Sequence, residues 1–305
     1  MVPLSGFNDL SLAAVDIGEL AAANVEAGVF LVIGALGGAH CLGMCGPLVS
    51  VYADRLEATG VEYKPTAYRR AAENVREHTA PIENLAGEGE DAVAEIDRVG
   101  DEEGITGVYM ITGGAEPPLG NRQYEPVYQA ASEKDLTICY HTSGAGIDNY
   151  HTKGYEKLIE THTLGFVENN FAQAVSVLVQ GIPEKFPDLD FVFLEAGIFY
   201  VSLLMSRLDC EYLKRPSEAP LLEQRPSEYI KESFYFGTQP LETEVDPKYL
   251  ETVIEMIGGA GRLMYASDYP HWDYDRPTTV IDLPFLSEEE KRGILSENAA
   301  EVFGL

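Results

Sequence analysis

From Gly104 onward, the apolar and polar positions of the chain follow two alternating periods. Short apolar runs rich in β-branched and aromatic residues occur at 105–111 (ITGVYMI), 135–140 (DLTICY), 190–195 (DFVFLE), 234–238 (FYFGT) and 262–267 (RLMYAS). Between and after them the spacing turns helical, at about 122–133, 167–182, 197–213, 245–258 and 287–302. Short runs bounded by polar turns suit buried strands, and longer runs with apolar residues three and four apart suit the helices that cover them. This repetition predicts an α/β domain with a parallel sheet. A GxGxxG after a strand would point to a dinucleotide fold, but the chain has none, so a TIM-barrel-like fold of the metal-dependent hydrolase type suits the spacing better. Only five strands are visible where such a barrel has about eight. The expectation is therefore an incomplete barrel with its first strands missing.

The pattern before Gly104 is different. Residues 27–53, AGVFLVIGALGGAHCLGMCGPLVSVYA, contain no Asp, Glu, Lys or Arg, a length that would serve a membrane-spanning helix. Residues 66–85 and 91–103 have helical spacing, separated by Pro81, Gly87 and Gly89. Two units are expected: an apolar, helical N-terminal segment over 1–90, unrelated to the barrel, and a partial barrel over 91–305. No basic leader precedes the apolar run, so a cleavable signal peptide is not expected.

Charge narrows the partners. Fifty acidic residues against 21 basic ones give a formal net charge of −29, which disfavours nucleic acid and anionic membrane surfaces. The excess is spread along the chain, the pattern of an acidic, halophilic protein kept soluble in a salty cytoplasm where its self-repulsion is screened. Cys41, Cys45, Cys139 and Cys210 form no disulfide framework; the CxxxC pair reads either as a metal or redox motif or as small packing residues.

The chemistry gathers where the strand-like runs end. His141 follows TICY, Glu195 closes DFVFLE, Thr238 and Gln239 follow FYFG, and Asp268 follows MYAS. C-terminal ends of parallel strands converge on one place, and an imidazole with two carboxylates makes a nitrogen and oxygen donor set suited to Zn²⁺ or Mn²⁺. A divalent metal there would polarise a carboxylate or acidify water, while a spare Asp or His moved the proton. Each residue also has a plainer reading: His141 bonding within a loop, Glu195 capping the helix that opens near Gly197, Asp268 capping a turn. His162, within ETHTLGF, can reach the same mouth or lie on the surface, and His271, Trp272 and Gln239 would form a substrate rim. Arg207 and Asp209 read as a solvated helix face, and Ser227 of RPSE as the start of a short helix with a capping box.

Two resemblances follow from particular phrases. Residues 34–48, GALGGAHCLGMCGPL, resemble the first helix of sulfite exporter and urease-accessory type membrane proteins. From about 93 to 305, PPLGNRQYEPVYQAASEKDLTICYHTSG, VQGIPEKFPDLDFVFLEAG, LMSRLDCEY, RPSEYIKESFYFGTQPLE and LMYASDYPHWD resemble the amidohydrolase-related family of metal-dependent TIM-barrel hydrolases and decarboxylases. The resemblance implies a divalent metal, Zn or Mn, held by His141 and Asp268, with Asp268 also moving a proton and Glu195 standing where relatives commonly carry a catalytic histidine. It implies catalytic roles for Asp268, Glu195 and His162, and a small carboxylated or cyclic substrate. The family's first-strand His-x-His pair has no counterpart in the first hundred residues, where His40 and His78 stand alone. The alternatives are a non-catalytic, partner-binding remnant and a membrane-tethered protein anchored by residues 27–53. A homo-oligomer could cover the open sheet edges.

Overall fold

A computed structural model describes residues 89–102, 104–142, 154–269 and 271–305. The apolar run 27–53, the helix expected at 66–85, and His40, His78, His151, Cys41 and Cys45 lie outside them. Among the described residues no helix is long and apolar enough to cross a membrane.

In chain order the elements are α1 (Gly89–Val99), β1 (Gly107–Ile111), α2 (Glu125–Glu133), β2 (Thr137–His141), α3 (Leu158–Val179), α4 (Ile182–Lys185), β3 (Phe191–Phe193), α5 (Phe199–Lys214), α6 (Pro226–Ser233), β4 (Phe234–Gly237), α7 (Pro247–Met256), β5 (Leu263–Met264), α8 (Thr278–Ile281), α9 (Glu288–Arg292) and α10 (Asn298–Val302). The five strands form one sheet in sequence order, and every neighbouring pair is parallel. This is the order of consecutive barrel strands, and it agrees with the incomplete TIM-like fold expected from the pattern. All five expected strands are present. The last is shorter than its apolar run because the next backbone groups are diverted: Tyr265 N–H donates to the Ile294 carbonyl (2.7 Å) and Ala266 N–H to Thr238 Oγ1 (3.2 Å).

One face of the sheet is fully packed. Val108, Met110, Ile138, Tyr140, Phe191, Phe193, Phe234, Phe236 and Leu263 are all buried beneath the helices. Five aromatic rings from three strands, Tyr140, Phe191, Phe193, Phe234 and Phe236, pack together there, with Tyr140 and Phe193 centroids 4.6 Å apart and Phe193 and Phe234 centroids 5.5 Å apart. Aromatic burial of this kind supplies much of a core's hydrophobic stabilisation. On the opposite face Val192 and Met264 are buried, but Tyr109, Cys139 and His141 toward β1 and β2 are only partly so, as befits the concave side of a sheet that five strands do not close.

The C-terminal segment covers the strand beginnings. Asn298 Nδ2 donates to the Ala260 and Leu263 carbonyls (2.9 and 2.7 Å), and Thr137 Oγ1 donates to the Val302 carbonyl (2.8 Å). A methyl group on Gly107 would lie 3.4 Å from the Phe303 ring. The segment thus bridges the starts of β5, β2 and β1, leaving the opposite strand ends for the site.

Two helices differ from the sequence expectation. Helix α3 starts at Leu158 and not near 167, because the Lys157 N–H is capped by Glu160 (2.9 Å) and Thr161 and Thr163 bond back to the Leu158 and Ile159 carbonyls. At the start of α6, Ser227 is not its own cap. Its N–H and hydroxyl both donate to the Asp209 carboxylate (3.0 and 2.7 Å), so Asp209 caps a neighbouring helix and is not a solvated charge.

Candidate metal and proton-transfer site

Three strand ends deliver side chains to one spot. His141 is the last residue of β2, Glu195 lies two residues beyond β3, and Asp268 lies four residues beyond β5. Glu195 and Asp268 both have left-handed backbone, with φ of 61° and 56°. Such a conformation costs a side-chain-bearing residue roughly 1 kcal/mol and persists only where neighbouring bonds impose it. Here the Leu194 N–H donates to the Tyr140 carbonyl (2.9 Å), and around Asp268 the His271 N–H donates to the Asp268 carbonyl and the Asp275 N–H to the Ser267 carbonyl (both 2.9 Å). The turn after Glu195 is tight as well. Gly197 has φ of 64°, and a β-carbon there would meet Glu242 Oε1 at 2.3 Å.

His141 Nε2 lies 2.8 Å from Glu195 Oε2, and both side chains are largely buried. Its ring packs near Tyr109, centroids 5.3 Å apart. Burial disfavours the charged imidazole, but the hydrogen bond and charge of Glu195, helped by the Asp268 charge, raise its pKa overall. The other ring nitrogen, Nδ1, is buried without a well-formed hydrogen bond among the described residues; the Thr142 backbone adds only a minor favourable contribution to the charged ring.

Asp268 Oδ1 lies 2.6 Å from His271 Nδ1. Burial, then the neighbouring Glu195 charge, push Asp268 up to about 7, against the opposing pull of His271. A carboxyl group so placed exchanges protons near neutral pH. One donor atom from each of Glu195, Asp268 and His271 lies within 4.8 Å of the others. His271, expected only at the rim, therefore belongs to the donor group. Two carboxylate oxygens and one imidazole nitrogen fit Zn²⁺ or Mn²⁺ by donor chemistry, while His141 stands outside this group of three and reaches it through its bond to Glu195.

The remaining candidates fall around this group. Trp272 is 75% exposed, whereas Gln239 is buried. His162 reaches the loop after β5 and not the donor group: its Nε2 lies 3.2 Å from Asp273 Oδ2 and its ring 5.2 Å from that of Trp272. That loop is further held by Asp275, whose Oδ2 accepts the Leu241 N–H (2.8 Å). Burial raises the pKa of both Asp275 and Glu242.

Sequence reasoning missed a polar layer beneath the donors. Thr112, Thr142, Asn170 and Gln173 are all buried and hydrogen-bonded to one another or to strand-end backbone. Its only local signal was the spacing of Asn170 and Gln173, which places them on one face of the helix with the buried Ala174 and Val177.

Similar structures share this fold. An amidohydrolase from Mycobacterium avium subsp. paratuberculosis K-10 is 23% identical, with 74% of this chain aligned to 58% of that one at a TM-score of 0.62. The 5-carboxyvanillate decarboxylase of Sphingomonas paucimobilis is 23% identical over 72% of this chain and 64% of its own, TM-score 0.58. The 5-carboxyvanillate decarboxylase of Novosphingobium aromaticivorans, solved with manganese and 4-hydroxy-3-methoxy-5-nitrobenzoic acid, is 20% identical over 73% and 63%, TM-score 0.57. The chain thus spans about three-fifths of the length of these structures. No curated protein sequence matches it. Residues 29–72 match a cytochrome c biogenesis protein transmembrane region. Residues 53–305, most of the chain and all of the sheet, match the amidohydrolase family, and the chain belongs to that family.

Proposed function

We propose that the protein is a metal-dependent hydrolase or decarboxylase acting on a small carboxylated or cyclic compound. The observation that carries this reading is the convergence of Glu195, Asp268 and His271 donor atoms within 4.8 Å, with His141 bonded to Glu195. His141 and Asp268, the ligands implied by the family resemblance, would hold the cation with Glu195 and His271 at hand. Bound there, a divalent cation supplies Lewis acidity toward a substrate carboxylate or water.

The chain's own residues provide the proton chemistry. In the metal-free protein Asp268 has a pKa of about 7; with a cation in place it would give a proton to a ring carbon as CO2 leaves, or take one from water. Glu195 sustains that pKa by its charge and orients His141. Trp272 offers an exposed apolar wall for a cyclic substrate, and His162 braces it. The decarboxylases of carboxylated aromatics among the similar structures favour that substrate class.

Metal titration tests the reading. Wild-type protein incubated with Mn²⁺ or Zn²⁺ and desalted should retain about one ion per chain, and Asp268→Ala and His141→Ala should lose it. Uptake displaces the protons held by Asp268 and by the His141–Glu195 pair, so affinity should rise by about tenfold per pH unit for each proton released. Wild-type protein that retains no more metal than Asp268→Ala overturns the proposal.

Two observations favour further readings. The absence of a His-x-His pair from the first hundred residues suits a non-catalytic, partner-binding protein, which would turn over no carboxylated aromatic. The membrane-type match over 29–72 suits membrane contact through residues 27–53, which would keep the full chain in the membrane fraction after an alkaline carbonate wash. An oligomer that covers β1, the end strand of the sheet, would show as a multiple of 33.4 kDa by light scattering.

A further inference from the structure

We infer that Asn170 is the positioning residue of the donor group, clamping the ends of β1, β2 and β3 to α3 and so setting the separation of His141 and Glu195. This rests on the metal-site reading for its consequence, though its geometry stands apart from it.

Asn170 is fully buried, and its amide meets three strand ends at once. Its Nδ2 donates to the Leu194 carbonyl (2.7 Å). Its Oδ1 lies within reach of the Thr112 hydroxyl (3.0 Å) and the Thr142 hydroxyl (3.3 Å), and those hydroxyls are 2.6 Å apart. A carbonyl only accepts, so the amide nitrogen must face Leu194 and the amide oxygen must face the threonines. Each hydroxyl has one proton. The assignment with the shortest bonds runs from Thr142 to Thr112 and from Thr112 to Asn170, leaving every buried group satisfied.

The contacted residues are the immediate neighbours of the donors. Thr142 follows His141, and Leu194 precedes Glu195. The parallel ladder between β2 and β3 ends at the pair Tyr140 and Phe193, so β2–β3 pairing stops short of both donors, although His141 still pairs with Ile111 of β1. Beyond that pair, the Leu194 N–H still bonds to Tyr140, but the Leu194 carbonyl is held by Asn170. Without Asn170 the peptide carrying Glu195 could rotate, and the 2.8 Å approach to His141 would no longer be imposed.

Gln173 provides the control. It lies one turn further along α3 and is also buried, but bonds to the Thr112 carbonyl and the Leu119 N–H, touching neither Thr142 nor Leu194, the residues adjacent to the donors in sequence. Asn170→Ala, Thr142→Val and Gln173→Ala would each be compared with the full wild-type chain, at temperatures where all are folded. The ¹⁵N shift of His141 Nε2 reports its bond to Glu195 whether or not metal binds. It should move in Asn170→Ala and Thr142→Val and stay in Gln173→Ala. Mn²⁺ affinity should fall by about tenfold or more in the first two only, and the visible spectrum of the Co²⁺-loaded protein should change with it. Should the Nε2 signal stay put in the first two variants, or move equally in Gln173→Ala, the inference is overturned. Wild-type protein that binds no Mn²⁺ would instead overturn the metal-site reading, and the Nε2 signal would still decide this one.

Discussion

His141 Nε2 and Glu195 Oε2 meet at 2.8 Å across the ends of two adjacent parallel strands, and the same Glu195 charge helps to keep a proton on Asp268. Glu195→Gln keeps the side-chain shape and removes the charge. Asp268 should then titrate below its present value of about 7, yet above an ordinary aspartate because its burial remains, and His141 should lose part of its upward shift. Carbon-13 NMR of the Asp268 carboxyl group checks this, and an unchanged midpoint would show that Glu195 does not control it.

Stability of the metal-free protein should fall as pH rises. Asp268 and His141 both bind protons more tightly folded than unfolded. Wherever the folded state holds more protons, raising the pH favours unfolding. For Asp268 the contribution is fully present below about 4, the ordinary aspartate range, and is lost as pH passes through about 7. His141 extends the decline above 6.5, its ordinary value. Asp268→Asn should flatten the first part of the curve in denaturant titrations of metal-stripped protein. A wild-type curve that rises over that window would contradict the shifts.

Trp272 is the single tryptophan of the chain, and its ring lies 5.2 Å from His162. The imidazole packs beside the indole, so His162→Ala should shift the emission maximum, and it should also free the loop by deleting the 3.2 Å contact to Asp273. Emission spectra of the two proteins at one pH make the comparison. Identical spectra would mean that His162 does not shape the surroundings of Trp272.

A net charge of −29 makes stability depend on salt. The screening length falls from about 10 Å at 0.1 M to about 3 Å at 1 M, which weakens repulsion among the surface carboxylates. The melting temperature should therefore climb with KCl over that range, by several degrees. A flat or falling melting temperature would remove the argument for salt adaptation.

The alternation of strand and helix was legible because it is written in local periods, and five short apolar runs became five parallel strands in the same order. Their ends were legible too, since His141, Glu195 and Asp268 follow those runs directly. Helix α3 was shortened in the reading because Thr161 and Thr163 look like loop residues until their hydroxyls find carbonyls in the preceding turn. Asp209 looked solvated because its partner, Ser227, comes 18 residues later on another helix.

The sequence by itself determined which residues stand at the strand ends, because strand period and adjacency are properties of a few consecutive positions. Only the tertiary structure decided what those residues touch. It moved His271 from rim to donor group, sent His162 to Asp273 and Trp272, and put Asn170 beneath the ends of three strands, 58 residues from Thr112. Those pairings depend on strand register and on how α3 docks against the sheet, and both are set by packing across the whole domain, beyond the reach of any local run of sequence.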